Sequence, residues 1–156
     1  KGSEFALSHF ETVTSDRLII EKSKFMNSKF MELGFRSKNI ELNQVIFEQC
    51  EVREASFSKS DWTNVQVKGG QWQNNDFEGV TFNNLVWTHV DAPENDWVNV
   101  KLNESRLLAS NFKGSNWTGL KSENSTMTGC ELSQVVVAFA TLPTSSMLGT
   151  SEVNHG

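Results

Sequence analysis

The side chains best suited to nucleophilic or metal chemistry are His9, His89, His155, Cys50 and Cys130. Such chemistry needs a nucleophile within hydrogen-bond reach of a base, or several ligands converging on one ion. The chain has neither a zinc-ligand spacing nor a glycine-rich phosphate loop. Its carboxylates are scattered among Asn, Ser and Thr, as on a solvated face, and no pair is evidently desolvated enough for proton transfer. The sequence therefore predicts no enzyme, no cofactor and no metal. The tryptophans are the other conspicuous groups, because their rings could stack under bases or sugars. Whether they do depends on which side of the backbone they face, and their spacing decides that.

From Leu42 to Leu142 every fifth residue is bulky and apolar with few exceptions, as in Phe47, Val52, Phe57, Trp62, Val67, Trp72 and Phe77. Ser122 is the only polar member. Trp62, Trp72, Trp87, Trp97 and Trp117 all fall in this phase, which marks them as core rather than as a stacking platform. A buried indole N–H then calls for an acceptor such as a backbone carbonyl. A period of five fits neither a helix nor a plain strand and points to a repeat architecture. Two residues before each bulky position stands a small or aliphatic residue, as at Val45, Cys50, Ala55 and Ser60. Residues two apart on a short extended piece face the same way, so both positions point inwards. The polar residues and glycines that follow, such as Gly79, Gly114, Gly119 and Gly129, suit a turn.

An earlier series, Ile20, Phe25, Phe30, Phe35 and Ile40, runs in a different phase. The slip of two residues predicts a small insertion or bulge near residues 36 to 46. Residues 1–17 show no clear pattern and are expected to be vector-derived sequence and an N-terminal cap, since Gly2-Ser3-Glu4-Phe5 reads like translated cloning sites. The repeat is assigned to 18–142, and 143–156 to a tail that is disordered or leads to a further domain. At 156 residues the chain is one ordinary domain, and its net charge of −5 argues against nonspecific nucleic-acid binding through a basic surface. No apolar run approaches the length of a membrane span.

Units such as Ser60-Asp61-Trp62-Thr63-Asn64 and Ser110-Asn111-Phe112-Lys113-Gly114 resemble those of the pentapeptide-repeat family. The resemblance covers about residues 18–142. It departs from the family in using Trp freely where Leu or Phe is usual. It implies an all-β fold, a right-handed parallel β-helix with four units per coil, and hence about six coils here. It also implies a bacterial protein, either cytoplasmic or secreted into a host cell.

With four units per coil, Cys50 and Cys130 fall in one column four coils apart, about 19 Å. That is beyond the reach of a disulfide, so two separate buried thiols are expected. His89 should lie exposed on a turn, with Gly69 and Ala109 as its neighbours one coil away. The outward residues divide into faces. One gathers Glu51, Glu54, Asp91, Glu94 and Glu131 against Arg53 and Lys113, and is the most acidic. Another presents Ile46, Val86, His89, Arg106 and Leu108, an apolar patch beside an arginine, as protein-binding surfaces do. Pro93 is expected to shape a local corner.

Two functions follow from this reading. The first is a noncatalytic interaction module, a rigid scaffold from a bacterial effector or regulator that docks a host or bacterial protein through Val86, His89, Arg106 and Leu108. The second, implied by the resemblance, is mimicry of duplex DNA by the acidic face, with DNA gyrase or topoisomerase IV as partner and quinolone protection as outcome. Direct nucleic-acid binding is not expected. The apolar last coil leaves an open parallel edge, to be covered by the tail, by continuation of the chain or by a homodimer.

Overall fold

The computed structural model describes residues 2–11, 17–31, 40–142 and 154–155, the last two by their backbone alone. All regular elements among them are short strands, most of three residues, in which the middle side chain points inwards and its neighbours outwards. Ile46–Glu48 pairs in parallel with Gln66–Lys68, which pairs with Val86–Thr88, then Arg106–Leu108 and Thr126–Thr128. Each step advances the chain by four pentapeptide units, which therefore complete one coil. The fold is a parallel β-solenoid of about six turns. At about 4.8 Å per coil the seven-stranded face is roughly 29 Å long.

The phase slip is visible in the ladder. Glu4 pairs with Lys24 and His9 with Lys29, each exactly four units on by register. Leu18 pairs instead with Ile40, Lys24 with Ile46 and Lys29 with Glu51, each four units and a further two positions on. The extra pair therefore lies between Met31 and Ile40, where normal spacing resumes. This is at the early edge of the predicted interval; Phe35 lies outside the described residues.

The ladder also begins before residue 18. Glu4–Ala6 and His9–Glu11 are strands of the first coil, in the segment assigned by sequence to vector and cap. Phe5 stacks on Phe25 with ring centroids 5.0 Å apart, and Phe10 on Phe30 at 4.8 Å. Phe25 in turn stacks on Phe47 at 5.3 Å. The signal was available, since Phe5 and Phe10 stand one full coil before Phe25 and Phe30. At the other end Asn154–His155 pairs in parallel with Val136–Val137, occupying an edge of the last coil.

The core is a stack of aromatic rings. All five tryptophans are completely buried. Ala92 can occupy a bulky position because Trp87, Trp97 and Phe112 close around it, with centroids 5.5 to 6.3 Å apart. The expected acceptors for the indoles are not there: Nε1 of Trp62, Trp72, Trp87, Trp97 and Trp117 has no hydrogen-bond partner. Burial of the ring's large apolar area outweighs the lost bond.

Polar residues at the small inward position perform a second task. The N–H of Leu85, Val90 and Ser105 donates to the hydroxyl of Ser105, Ser110 and Ser125 respectively, one coil on, at 3.0 to 3.1 Å. Each corner among the described residues is made by a residue in the left-handed region; eighteen of these are not glycine, among them Gln49, Asn64, His89 and Glu94. Pro93 precedes Glu94 (φ 57°), the second place of a turn whose third residue has positive φ, where proline's fixed φ is favourable.

Candidate functional site

Stacking distributes the outward residues over four faces. The face of Phe47, Val67 and Trp87 carries Ile46, Gln66, Val86, Arg106 and Thr126 on one flank, and Glu48, Lys68, Thr88, Leu108 and Thr128 on the other. The four predicted protein-binding residues come together there on two adjacent coils. Val86 lies in register with Arg106, and Thr88 with Leu108. The His89 N–H donates to the Leu108 carbonyl at 3.0 Å. His89 and Arg106 are exposed or nearly so, while Val86, Leu108 and Ile46 are half-buried. Ile46 is separated from Val86 by Gln66, so the apolar patch is smaller than sequence suggested. The most exposed large apolar residues lie at the ends of the rod instead, at Leu7 and Phe139.

Charge on this face is partly tied. Lys24 Nζ is 2.8 Å from Glu48 Oε2. That hydrogen bond and charge hold the Glu48 carboxyl below the usual range and raise the Lys24 ammonium. Lys68 and Arg106 form no ion pair among the described residues. At the corner a polar cleft of about 400 Å³ opens between Glu48, Gln49, Lys68, Gly69, Thr88 and His89. Sequence reasoning placed His89 beside Gly69 but did not anticipate the cleft.

The five predicted acidic residues also share one face, in a pattern the sequence concealed. Glu51, Asp91 and Glu131 alternate with Gln71 and Asn111 along one column. Asn111 Nδ2 donates to Asp91 Oδ1 at 2.7 Å. Glu51 is held between Lys29 at 3.1 Å and Arg53 at 2.8 Å, and Glu94 accepts from Gln73 at 3.1 Å. Interposed amides keep like charges two coils apart, about 9.6 Å.

Cys50 and Cys130 are both buried free thiols. Each Sγ donates to a carbonyl of the preceding coil, Cys50 to Phe25 at 3.4 Å and Cys130 to Leu107 at 3.5 Å. Burial pushes both thiols above their usual pKa. Among the described residues no group of three or more His, Cys, Asp or Glu could hold a metal ion.

Strands recurring at every fifth position, and pairing once per four units, decide the architecture. The chain has the pentapeptide-repeat β-helix fold. No family model and no curated protein matches it. Solved structures that do match include QnrB1, a plasmid-mediated fluoroquinolone resistance protein. That match has 18% identity, covers 97% of this chain and 91% of that one, and has a TM-score of 0.46. The pentapeptide-repeat protein Rfr23 from the cyanobacterium Cyanothece 51142 matches at 15% identity, covering 96% and 88%, with a TM-score of 0.45. Likeness at this level carries no argument about the role of the chain, which has to come from its own faces.

Proposed function

We propose that the chain is a noncatalytic protein-interaction module, a rigid β-helical rod that docks a partner through Val86, His89, Arg106 and Leu108. The supporting observation is the meeting, on one flat face, of half-buried aliphatic side chains with an arginine that has no ion-pair partner among the described residues. Aliphatic contacts flanking an arginine suit the centre of an interface, and a face preformed by backbone ladders costs little ordering on binding. Replacing Val86, Arg106 and Leu108 by serine leaves the inward positions intact. Capture of partner proteins by this variant should fall sharply; undiminished capture removes the placement.

Mimicry of duplex DNA toward gyrase or topoisomerase IV is the competing reading, and charge density weighs against it. Over about 19 Å of rod a duplex carries roughly 11 charges, whereas residues 51–131, all faces together, carry eleven carboxylates offset by seven Lys and Arg, a net charge of −4. A supercoiling assay with gyrase, with and without quinolone, separates the two: inhibition or protection at micromolar protein would favour mimicry.

A further inference from the structure

We propose that the cleft over Gly69 is a carboxylate-accepting notch, into which an extended segment of the partner protein inserts an Asp or Glu side chain while neighbouring aliphatic residues lie on Val86 and Leu108. The proposal rests on the interaction-face reading above and assigns the partner's chemistry.

The notch lies over Gly69, which contributes no side chain to the corner column between Gln49 and His89, and the end of the Gln49 side chain lies across the glycine as part of the lining. Its floor and walls offer cationic and donor groups. Lys68 makes no ion pair among the described residues; Glu48, the carboxylate of the lining, is paired with Lys24 at 2.8 Å and interacts with Lys68 only at longer range. Thr88 Oγ1 lies 2.7 Å from His89 Nδ1. In the tautomer in which Nδ1 accepts the hydroxyl proton, Nε2–H is left to donate outwards. Arg106, one coil on from Val86, extends the positive rim. The other faces carry excess acid, at Glu51, Asp91 and Glu131 or at Asp76, Asp96 and Glu78, for example. A carboxylate-bearing partner is thus repelled by those faces and admitted by this one.

The paired glycines show that the gap is not a requirement of the backbone. Gly69 has φ +64°, close to Gln49 at +53° and His89 at +54°, which carry side chains at the same corner. A Cβ on Gly69 would meet only the end of the Gln49 side chain, which can swing away. Gly70 is different: a Cβ there would collide with the backbone carbonyl of Cys50. Gly69→Asn therefore fills the notch in a fold that already uses Asn at its corners, as at Asn64 and Asn84.

The test is selection of displayed random peptides on the full chain, followed by binding of the selected synthetic peptides to variants of confirmed thermal stability. Enriched peptides should carry Asp or Glu beside Leu, Ile or Val. Gly69→Asn and Lys68→Gln should each weaken binding about tenfold, as should Glu→Gln in the peptide, while Lys101→Gln on another face should not. Failure to enrich any peptide, enrichment of peptides without a carboxylate, or undiminished binding to a folded Gly69→Asn variant overturns the proposal. If binding survives Gly69→Asn but is lost on replacing Val86, Arg106 and Leu108, the notch falls and the interaction face stands.

Discussion

The backbone N–H of Asn75 donates to Oδ1 of Asn95, 2.8 Å away and one coil further along. The Asn95 amide also donates to the carbonyls of Trp72 at 2.7 Å and Ala92 at 2.8 Å. One buried side chain thus satisfies three backbone groups. Asn95→Ala strands the Asn75 N–H and the Trp72 carbonyl, leaving Ala92 only a long contact from Ser115 Oγ at 3.5 Å, and the expected loss is about 3 kcal/mol, at the upper end for a buried unsatisfied group. Asn95→Ser should lose less, because Ser115 already serves the same column by accepting from Asn95 N–H. Urea unfolding monitored by tryptophan fluorescence measures both.

The bare indole N–H groups give the opposite expectation. Trp97→Phe deletes a donor that has no partner and keeps an aromatic ring beside Phe77, whose centroid is 4.7 Å away. Relief of an unsatisfied donor, about 1–3 kcal/mol, offsets much of the lost packing, so the net change should stay within about 1.5 kcal/mol. Trp97→Ala should cost about 3–5 kcal/mol. A difference of less than about 1 kcal/mol between these two variants would contradict this packing.

Ala92 should resist enlargement. Ala92→Leu pushes a branched side chain between Trp87, Trp97 and Phe112 and should destabilise by about 1–3 kcal/mol. The same change at the Ala109 corner should cost less, and thermal melts compare them directly.

The thiols should be silent in the folded protein. Alkylation of Cys50 and Cys130 should proceed at the rate of global opening and speed up greatly in denaturant. Because the folded pKa of each is raised by burial, the unfolded chain deprotonates first. The associated stability is complete below the usual thiol pKa of about 8.5 and declines as pH rises through the folded values.

For Lys24 and Glu48 the window lies at acid and alkaline extremes. Glu48's lowered folded pKa gives a contribution present above the usual carboxylate range, about 4.3, and lost as pH falls through the folded value. Lys24's raised pKa gives one that is lost only as pH rises through its folded value. Glu48→Gln should flatten the acid limb of a stability–pH curve and leave the neutral region nearly unchanged, as an exposed pair requires.

Architecture was legible because the period is written in side-chain size: Trp62 and Phe82, or Val67 and Trp87, announce their shared columns by standing four repeat units apart. The same arithmetic placed His89 beside Gly69 and gathered Val86, Arg106 and Leu108. Phe5 and Phe10 share the columns of Phe25 and Phe30, but Gly2-Ser3-Glu4-Phe5 reads like translated cloning sites and masks that phase. The missing indole acceptors were illegible because the period assigns each ring its side of the backbone but not the direction in which its N–H points. The Gly69 cleft was hidden for a related reason: a glycine reads as a turn, and only the side chains on the coils above and below show that it also opens a gap.

Within residues 2–142 every ladder joins stretches of chain at least four repeat units apart, so a coil there has no partner until its neighbour is in place. Folding then resembles the growth of a one-dimensional crystal from a costly first layer. The rod should melt as a zipper, with amide exchange fastest at its tips and slowest around Trp72 to Trp97. The proposed interaction face at Val86 and Arg106 lies in that last-opening middle, where a partner would meet a surface already at rest.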